Sequence, residues 1–322
     1  MTMRAELLLL CLRFLKQRQS VTGMALPAVR KKLKYIERIV PRPPAGTQTE
    51  VIDAGGINAV RVTVPQSRTD RCVLFFHGGG YVVGSPTLYR DFTWRIAVAA
   101  RACVLYFDYR LAPEHPFPAA VDDSVKAYGW LAQYCHHRSI AFVGDSAGGG
   151  LALATLPRLR DKGFALPAAV AVVSPWTDLA LTGASLHSNA VADPMMNING
   201  LPSLANQYLA GADPRHPYAS PLYGDTYGLP PTLIQVGSDE ILYDDASRMA
   251  EKLKATGCDI EIEVWPRMPH AWHLYARILP EGHEAIQQLG RFLDRKLSRA
   301  DEAKPGGQGP LQRDLRSPAG RG

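Results

Sequence analysis

The 322-residue sequence predicts an α/β fold, with a mostly parallel central sheet covered by helices on both faces. Three observations carry that expectation. Apolar runs of strand length recur along the chain: CVLFF from 72, CVLYFDY from 103, SIAFVGD from 139, AAVAVVSP from 168, TLIQVG from 232 and DIEIEVW from 259. Helical stretches alternate with these runs, the order that right-handed strand–helix–strand units require. The strands are near-continuous in Val, Ile, Leu and Phe, as expected where both faces of a sheet are buried. Apolar residues make up 46% of the chain, enough for one large core.

Element by element, the chain opens on AELLLLCLRFLKQ. Its apolar run stops at Arg13, well short of the ~20 residues of a membrane-spanning helix, and no clean small-residue cleavage site follows. The expectation is an amphipathic helix packed on the protein itself, ahead of the alternatives of a membrane-surface helix or a signal peptide. TEVIDAGGINAVRVTVP reads as an antiparallel hairpin turning at Gly55 and Gly56. Helices are expected near 91–101, 119–134 and 148–160, and over YDDASRMAEKLKATG.

Two stretches break the alternation: residues 1–45, ahead of the first strand, and about 178–220, too long for an ordinary connection. Both are expected to fold over one end of the sheet as a cap, the second as an insertion in a catalytic domain spanning 46–298. The tail 299–322 has little apolar to bury and is expected to be disordered.

The net charge of +6 belongs to the ends. Residues 1–44 hold ten Lys/Arg against two Asp/Glu, and residues 299–322 five against three, which leaves the middle near −4. A nucleic-acid groove in the body is therefore not expected. Five scattered cysteines without a CxxC pair argue against a disulfide framework or a zinc site and for a reducing, cytoplasmic setting.

The chemistry concentrates where GDSAGGG leaves SIAFV. Gly144, Ser146 and Gly148 form G-x-S-x-G between an expected strand and an expected helix, the context of a nucleophile elbow. Ser146 then stands at a helix N-terminus, whose N–H groups favour developing negative charge. Upstream, HGGG follows another strand, and its glycines leave backbone N–H groups unshielded. Gly79 and Gly80 are the expected oxyanion donors, joined by Ala147 after the nucleophile. His77 is expected to bond the loop backbone, and Arg110 and Glu114 to pair and hold the loop DYRLAPEHPFP.

A serine needs a base, and in this chain order the base is a late histidine. His270 and His273 in WPRMPHAWHLY are the candidates, and His270, in the turn begun by Pro269, is preferred. The acid is expected from the turn after the preceding strand, where Asp239 and Glu240 stand side by side. Either carboxylate can hold the imidazole's tautomer, so the residues alone leave that choice open. Met195 and Met196 suit an adaptable acyl pocket or ordinary packing.

HGGGYVVGSP, DYRLAPEHPFPAAVDD, GDSAGGGLAL, SDEILYDDA and MPHAWH together resemble the bacterial hormone-sensitive-lipase family of α/β-hydrolase carboxylesterases, over about residues 45–298. The resemblance implies the α/β-hydrolase fold and the helical cap. It places the family's acid pattern, D-x-L-x-D-[E/D], without a gap on Glu240, Leu242, Asp244 and Asp245. The first position is Glu where the family has Asp, so the resemblance favours Glu240 and keeps Asp239 as the alternative. The expected activity is hydrolysis of short- to medium-chain acyl esters by Ser146, His270 and Glu240, with no metal or organic cofactor implied. Acyl transfer with the same triad and a non-catalytic ligand receptor are the competing readings. No oligomeric state follows from the sequence; a homodimer is one option.

Overall fold

A computed structural model describes residues 2–18 and 26–302. Its strands are β1 (Gln48–Asp53), β2 (Asn58–Thr63), β3 (Arg68–Phe76), β4 (Ala102–Phe107), β5 (Ile140–Asp145), β6 (Ala169–Val173), β7 (Thr232–Gly237) and β8 (Ile260–Trp265). They form one sheet in the order β1-β2-β4-β3-β5-β6-β7-β8. β1 and β2 pair antiparallel through the turn at Gly55 and Gly56, both at positive φ (72° and 85°), and β2 runs antiparallel to β4. From β4 to β8 every pairing is parallel. β4 to β7 are buried throughout, which is why their sequences read as continuous apolar runs.

Helices follow as α1 (Met3–Arg18), α2 (Leu26–Ile39), α3 (Pro86–Ala100), α4 (Ala119–Leu131), α5 (Ser146–Asp161), α6 (Ser185–Ser188), α7 (Leu201–Leu209), α8 (Tyr243–Ala255) and α9 (Pro280–Glu302). The two-residue period of a strand sorts β3 between the faces. Leu74 and Phe76 join Tyr128, Leu151 and Met249 of α4, α5 and α8, while Val73 and Phe75 join Phe92 and Ile96 of α3 and Leu289 and Leu293 of α9.

Several boundaries differ from the sequence reading. α3 starts five residues early because Ser85 caps it, its hydroxyl accepting the Leu88 N–H, and Pro86 suits the first turn. α5 starts at Ser146 itself. α9, which the sequence reading leaves without an element, supplies much of one core face through its buried Ile286, Leu289, Leu293 and Leu297. It overruns the expected start of the tail at 299; the disorder expected for 303–322 lies outside the described residues.

The expected Arg110–Glu114 pair is corrected. Arg110 bonds Asp123 on α4 (2.8 Å), whereas Glu114 pairs with Arg30 of α2 (2.6 Å). Asp123 also accepts the Arg110 backbone N–H (2.9 Å), so one carboxylate of α4 holds both the chain and the guanidinium at this position. Glu114, further along the loop, faces α2 instead.

α1 packs through Ala5 and Leu8 beside Met268, Trp272 and Leu279, and its Leu9 is buried as well. α2 is tied down by Arg30, whose guanidinium also donates to the carbonyls of Val82 (3.0 Å) and Ala112 (2.9 Å). Lys16 reaches across to the carbonyls of Ala190 (3.0 Å) and Asp193 (2.7 Å), joining α1 to the long β6–β7 connection. No helix among the described residues is long and apolar enough to cross a membrane.

Candidate active site

β5 delivers Ser146 at the carboxyl end of the sheet, where the chain turns directly into α5. Ser146 has φ +55°, the left-handed region that an L-residue with a side chain adopts only under constraint. The two glycines of the motif explain how so sharp a turn closes. A Cβ on Gly144 would lie 2.4 Å from the carbonyl oxygen of Gly148, and a Cβ on Gly148 2.1 Å from that of Phe76. Neither position has room for a side chain.

Asp145, buried beside Ser146, accepts the Gly78 N–H (2.9 Å) and the Tyr89 hydroxyl (3.0 Å) and so ties this turn to the HGGG loop. Burial pushes its carboxyl up to about 6, against the pull of those two donors. Gly79 (φ +109°) and Gly80 (φ +63°) line the same cavity as Ser146. Among the described residues neither amide donates to a protein acceptor. His77 is buried and stacked on Tyr109 with ring centroids 4.0 Å apart, and its Nδ1 lies 2.7 Å from the carbonyl of Gly78. Burial depresses this imidazole to about 4, so it is neutral and its Nδ1–H donates to the loop.

The two neighbouring carboxylates of the β7–α8 turn diverge. Glu240 Oε2 lies 2.9 Å from His270 Nδ1, while Asp239 accepts from Ser238 Oγ (2.7 Å). Glu240 is fully buried and its other oxygen, Oε1, accepts from Ser174 Oγ (2.7 Å) and the Gly237 N–H (2.7 Å). Those bonds fix the carboxylate and hold His270 with Nδ1 as the donor, which leaves Nε2 to act as a base. Burial acts to lower the His270 pKa, but the hydrogen bond and charge of Glu240, with Asp193 and Asp145 behind it, raise it above 6.5 overall. Ser146 Oγ and His270 share the cavity without a hydrogen bond between them, a slack common before substrate draws the two together.

His273 sits elsewhere. It is buried in the core against Trp272 and bonds Gln235 through Nε2 (2.7 Å), and burial takes its pKa down to about 3. Among the described residues no cluster of His, Cys, Asp and Glu could hold a metal ion.

The cavity measures about 590 Å³, within the range of small-molecule sites. Its walls draw on both stretches that break the α/β rhythm: Leu12 and Val29 from the first, Met196 and Leu204 from the second. Sequence reasoning missed the residues that set the geometry from behind. Ser174, at the end of β6, bonds both Glu240 and the Ala271 N–H (3.1 Å). Asn189 donates to the carbonyls of Ser238 (3.1 Å) and Glu240 (2.9 Å), and Asp193 accepts the Ile241 N–H (3.0 Å). Position at a strand's carboxyl end was a signal for Ser174; Asn189 and Asp193 carried none.

Residues 73–274 match the model of the α/β-hydrolase fold family. An esterase structure from the bacterial hormone-sensitive-lipase family aligns with a TM-score of 0.87 at 42% identity, covering 92% of this chain and 99% of that one. The chain belongs to the bacterial hormone-sensitive-lipase family. It is a carboxylic-ester hydrolase of the α/β-hydrolase fold. An acetyl-hydrolase of Streptomyces hygroscopicus is 46% identical over 245 residues, which cover 76% of this chain and 82% of the relative. An esterase of Acinetobacter venetianus is 33% identical over 275 residues, 85% of this chain and 90% of that protein. A solved structure of EstE5, soaked with p-nitrophenyl butyrate, aligns with a TM-score of 0.88 at 40% identity, over 92% of this chain and all of that one.

Proposed function

We propose that Ser146, His270 and Glu240 are the catalytic triad of this hydrolase, that Gly79, Gly80 and Ala147 supply its oxyanion hole, and that it cleaves short- to medium-chain acyl esters. The single observation that carries the reading is the bond from His270 to a Glu240 that Gly237 holds in place, beside a serine held at φ +55°, with Ser146 and His270 lining one cavity. Ser146 Oγ attacks the acyl carbonyl as His270 Nε2 takes its proton, and the oxygen of the tetrahedral intermediate is held by the three N–H groups. His270 returns the proton to the leaving alcohol. Water, activated by the same nitrogen, then frees the acid and restores the serine.

Residues 1–45 and about 178–220 act as the cap, a reading supported by their share of the cavity wall and by the Lys16 bonds that join them. The relatives point to small acyl groups, since one is named an acetyl-hydrolase and another was soaked with a butyrate ester. The reading places the enzyme in the cytoplasm, in keeping with five unbridged cysteines, two of which, Cys72 and Cys103, are neighbours on adjacent strands.

A panel of p-nitrophenyl esters of graded acyl length tests the acyl preference. The expected result is a kcat/KM maximum between acetyl and octanoyl and a steep fall beyond it; a rise through palmitoyl would reject the cap as a limit on reach. Hydrolysis in the presence of competing alcohols should give mainly free acid, and transfer product in excess would favour acyl transfer.

The base also sets a pH dependence. Nε2 must be unprotonated to accept the serine proton, so kcat/KM falls about tenfold per unit as pH drops below the His270 pKa, which lies above 6.5. Glu240→Gln removes the main group raising that pKa, so the acid limb of its residual activity should move to lower pH. An unmoved limb would assign it to another group, with Asp145 the first candidate.

A further inference from the structure

α1 is apolar on two opposite sides. Ala5 and Leu9 are buried, Ala5 beside Met268 and Trp272 of the body, and Leu12 and Leu15 line the cavity. Met3, Leu7 and Leu10 fall on the other side at a spacing of four and three, and are 83%, 60% and 59% exposed. Phe14, half exposed, continues the same spacing. A helix apolar all round belongs in a buried place, so a large outward stripe marks an interaction surface.

The charge around that stripe says what it meets. Residues 1–44 carry ten Lys/Arg against two Asp/Glu. The two acids are engaged with the body: Glu6 pairs with Arg267 and Glu37 accepts from Ser85. The outward side of α2 mixes exposed Lys31, Lys32, Lys34 and Arg38 with exposed Tyr35 and Ile39. α2 lies over the same cavity as α1, to whose wall it gives Leu26 and Val29. The cavity rim continues the apolar surface, since Leu15 and Leu274 line it and are 47% and 38% exposed.

We propose that the outward faces of α1 and α2 form a docking surface for an anionic lipid bilayer, with the Leu7 and Leu10 side chains entering the interface and the basic residues of α2 meeting the headgroups. Apolar side chains at the acyl boundary and lysines near an anionic surface act together in interfacial helices, each basic residue adding about fivefold in affinity. Docking in this pose turns the cavity mouth towards the interface, so that an amphiphilic ester reaches Ser146 without crossing bulk water. The docking surface stands on α1 and α2 alone; only this last use of it rests on the catalytic reading.

Flotation of the full-length protein with vesicles tests the proposal. On equimolar phosphatidylglycerol and phosphatidylcholine it should partition at least about tenfold more strongly than on phosphatidylcholine alone, and raising salt from about 0.1 M to about 0.5 M should release it. Leu7→Asp with Leu10→Asp should abolish partitioning, and Lys31→Glu with Lys32→Glu and Lys34→Glu should remove the preference for anionic lipid. Both variants alter exposed side chains outside the cavity wall, so turnover of a water-soluble ester should stay at the wild-type level. Ser146→Ala should bind vesicles as the wild type does, which separates failure of docking from failure of the triad. Absence of wild-type binding to anionic vesicles overturns the proposal, as does unchanged binding of either variant. A dimer in light scattering that Leu7→Asp with Leu10→Asp splits, with no vesicle binding by the wild type, would assign the stripe to a second copy of the chain instead.

Discussion

Ser146→Ala and His270→Ala should each lower kcat on a short-chain ester by roughly 10⁶, with both proteins folded. The magnitude follows from a serine and its base acting as one unit, so that removing either costs about as much as removing both. Neither change removes core packing. The Ser146 hydroxyl makes no hydrogen bond to the protein among the described residues, and Ser146→Ala keeps a Cβ in the same strained turn that Gly144 and Gly148 already accommodate. His270→Ala leaves the Glu240 carboxylate with its bonds from Ser174 and Gly237, so the buried charge keeps two donors. Turnover by His270→Ala near the wild-type rate would end the assignment of the base, and His273→Ala is the control. Because His273 is fastened to Gln235 in the core, its loss should lower thermal stability and leave the pH profile in place.

Glu240→Gln should lower kcat on the order of 10⁴, while Asp239→Asn should stay within a few-fold of wild type. The difference is one of direction. Glu240 meets His270 Nδ1 at 2.9 Å, and Asp239 meets Ser238 Oγ. A glutamine in place of Glu240 presents an amide that can hold the imidazole in the wrong tautomer, with the proton on the nitrogen that must accept one. Steady-state kinetics of the two variants on one ester decides the matter, and an inactive Asp239→Asn beside an active Glu240→Gln would move the acid by a residue. The extra methylene of Glu over Asp is taken up by the turn itself. Glu240 reaches back to the Gly237 N–H three residues before it while its other oxygen meets His270, a span that the shorter Asp side chain would cover only with a shift of the backbone.

The alternation of apolar runs with helical stretches was legible because burial on both faces leaves few polar positions in β4 to β7. The elbow was legible because G-x-S-x-G is a short contiguous pattern, and the demand at Gly144 is met within the turn itself, at the carbonyl of Gly148; the demand at Gly148 comes from Phe76 on β3, which the sequence does not show. α9 was not assigned, although it covers one face of the sheet, since its apolar positions lie among many charged ones. The Arg110–Glu114 pairing failed for a related reason. Proximity in sequence suggested a partner, but the loop presents Glu114 to Arg30 of α2, a residue 84 positions away.

By itself the sequence determined the fold class, the order of the motifs along the chain, a candidate serine, and a short list of candidate bases and acids, because each of these rests on short contiguous patterns or on hydrophobic period. The removal of His273 to the core, and the contact of Glu240 rather than Asp239 with the His270 imidazole, came from the tertiary structure. So did the second rank of Ser174, Asp145, Asn189 and Asp193. Side chains that lie within a few residues of one another in the chain can point to opposite sides of a turn, and only the packing of β6, β7 and the following loops against one another decides which of them meet.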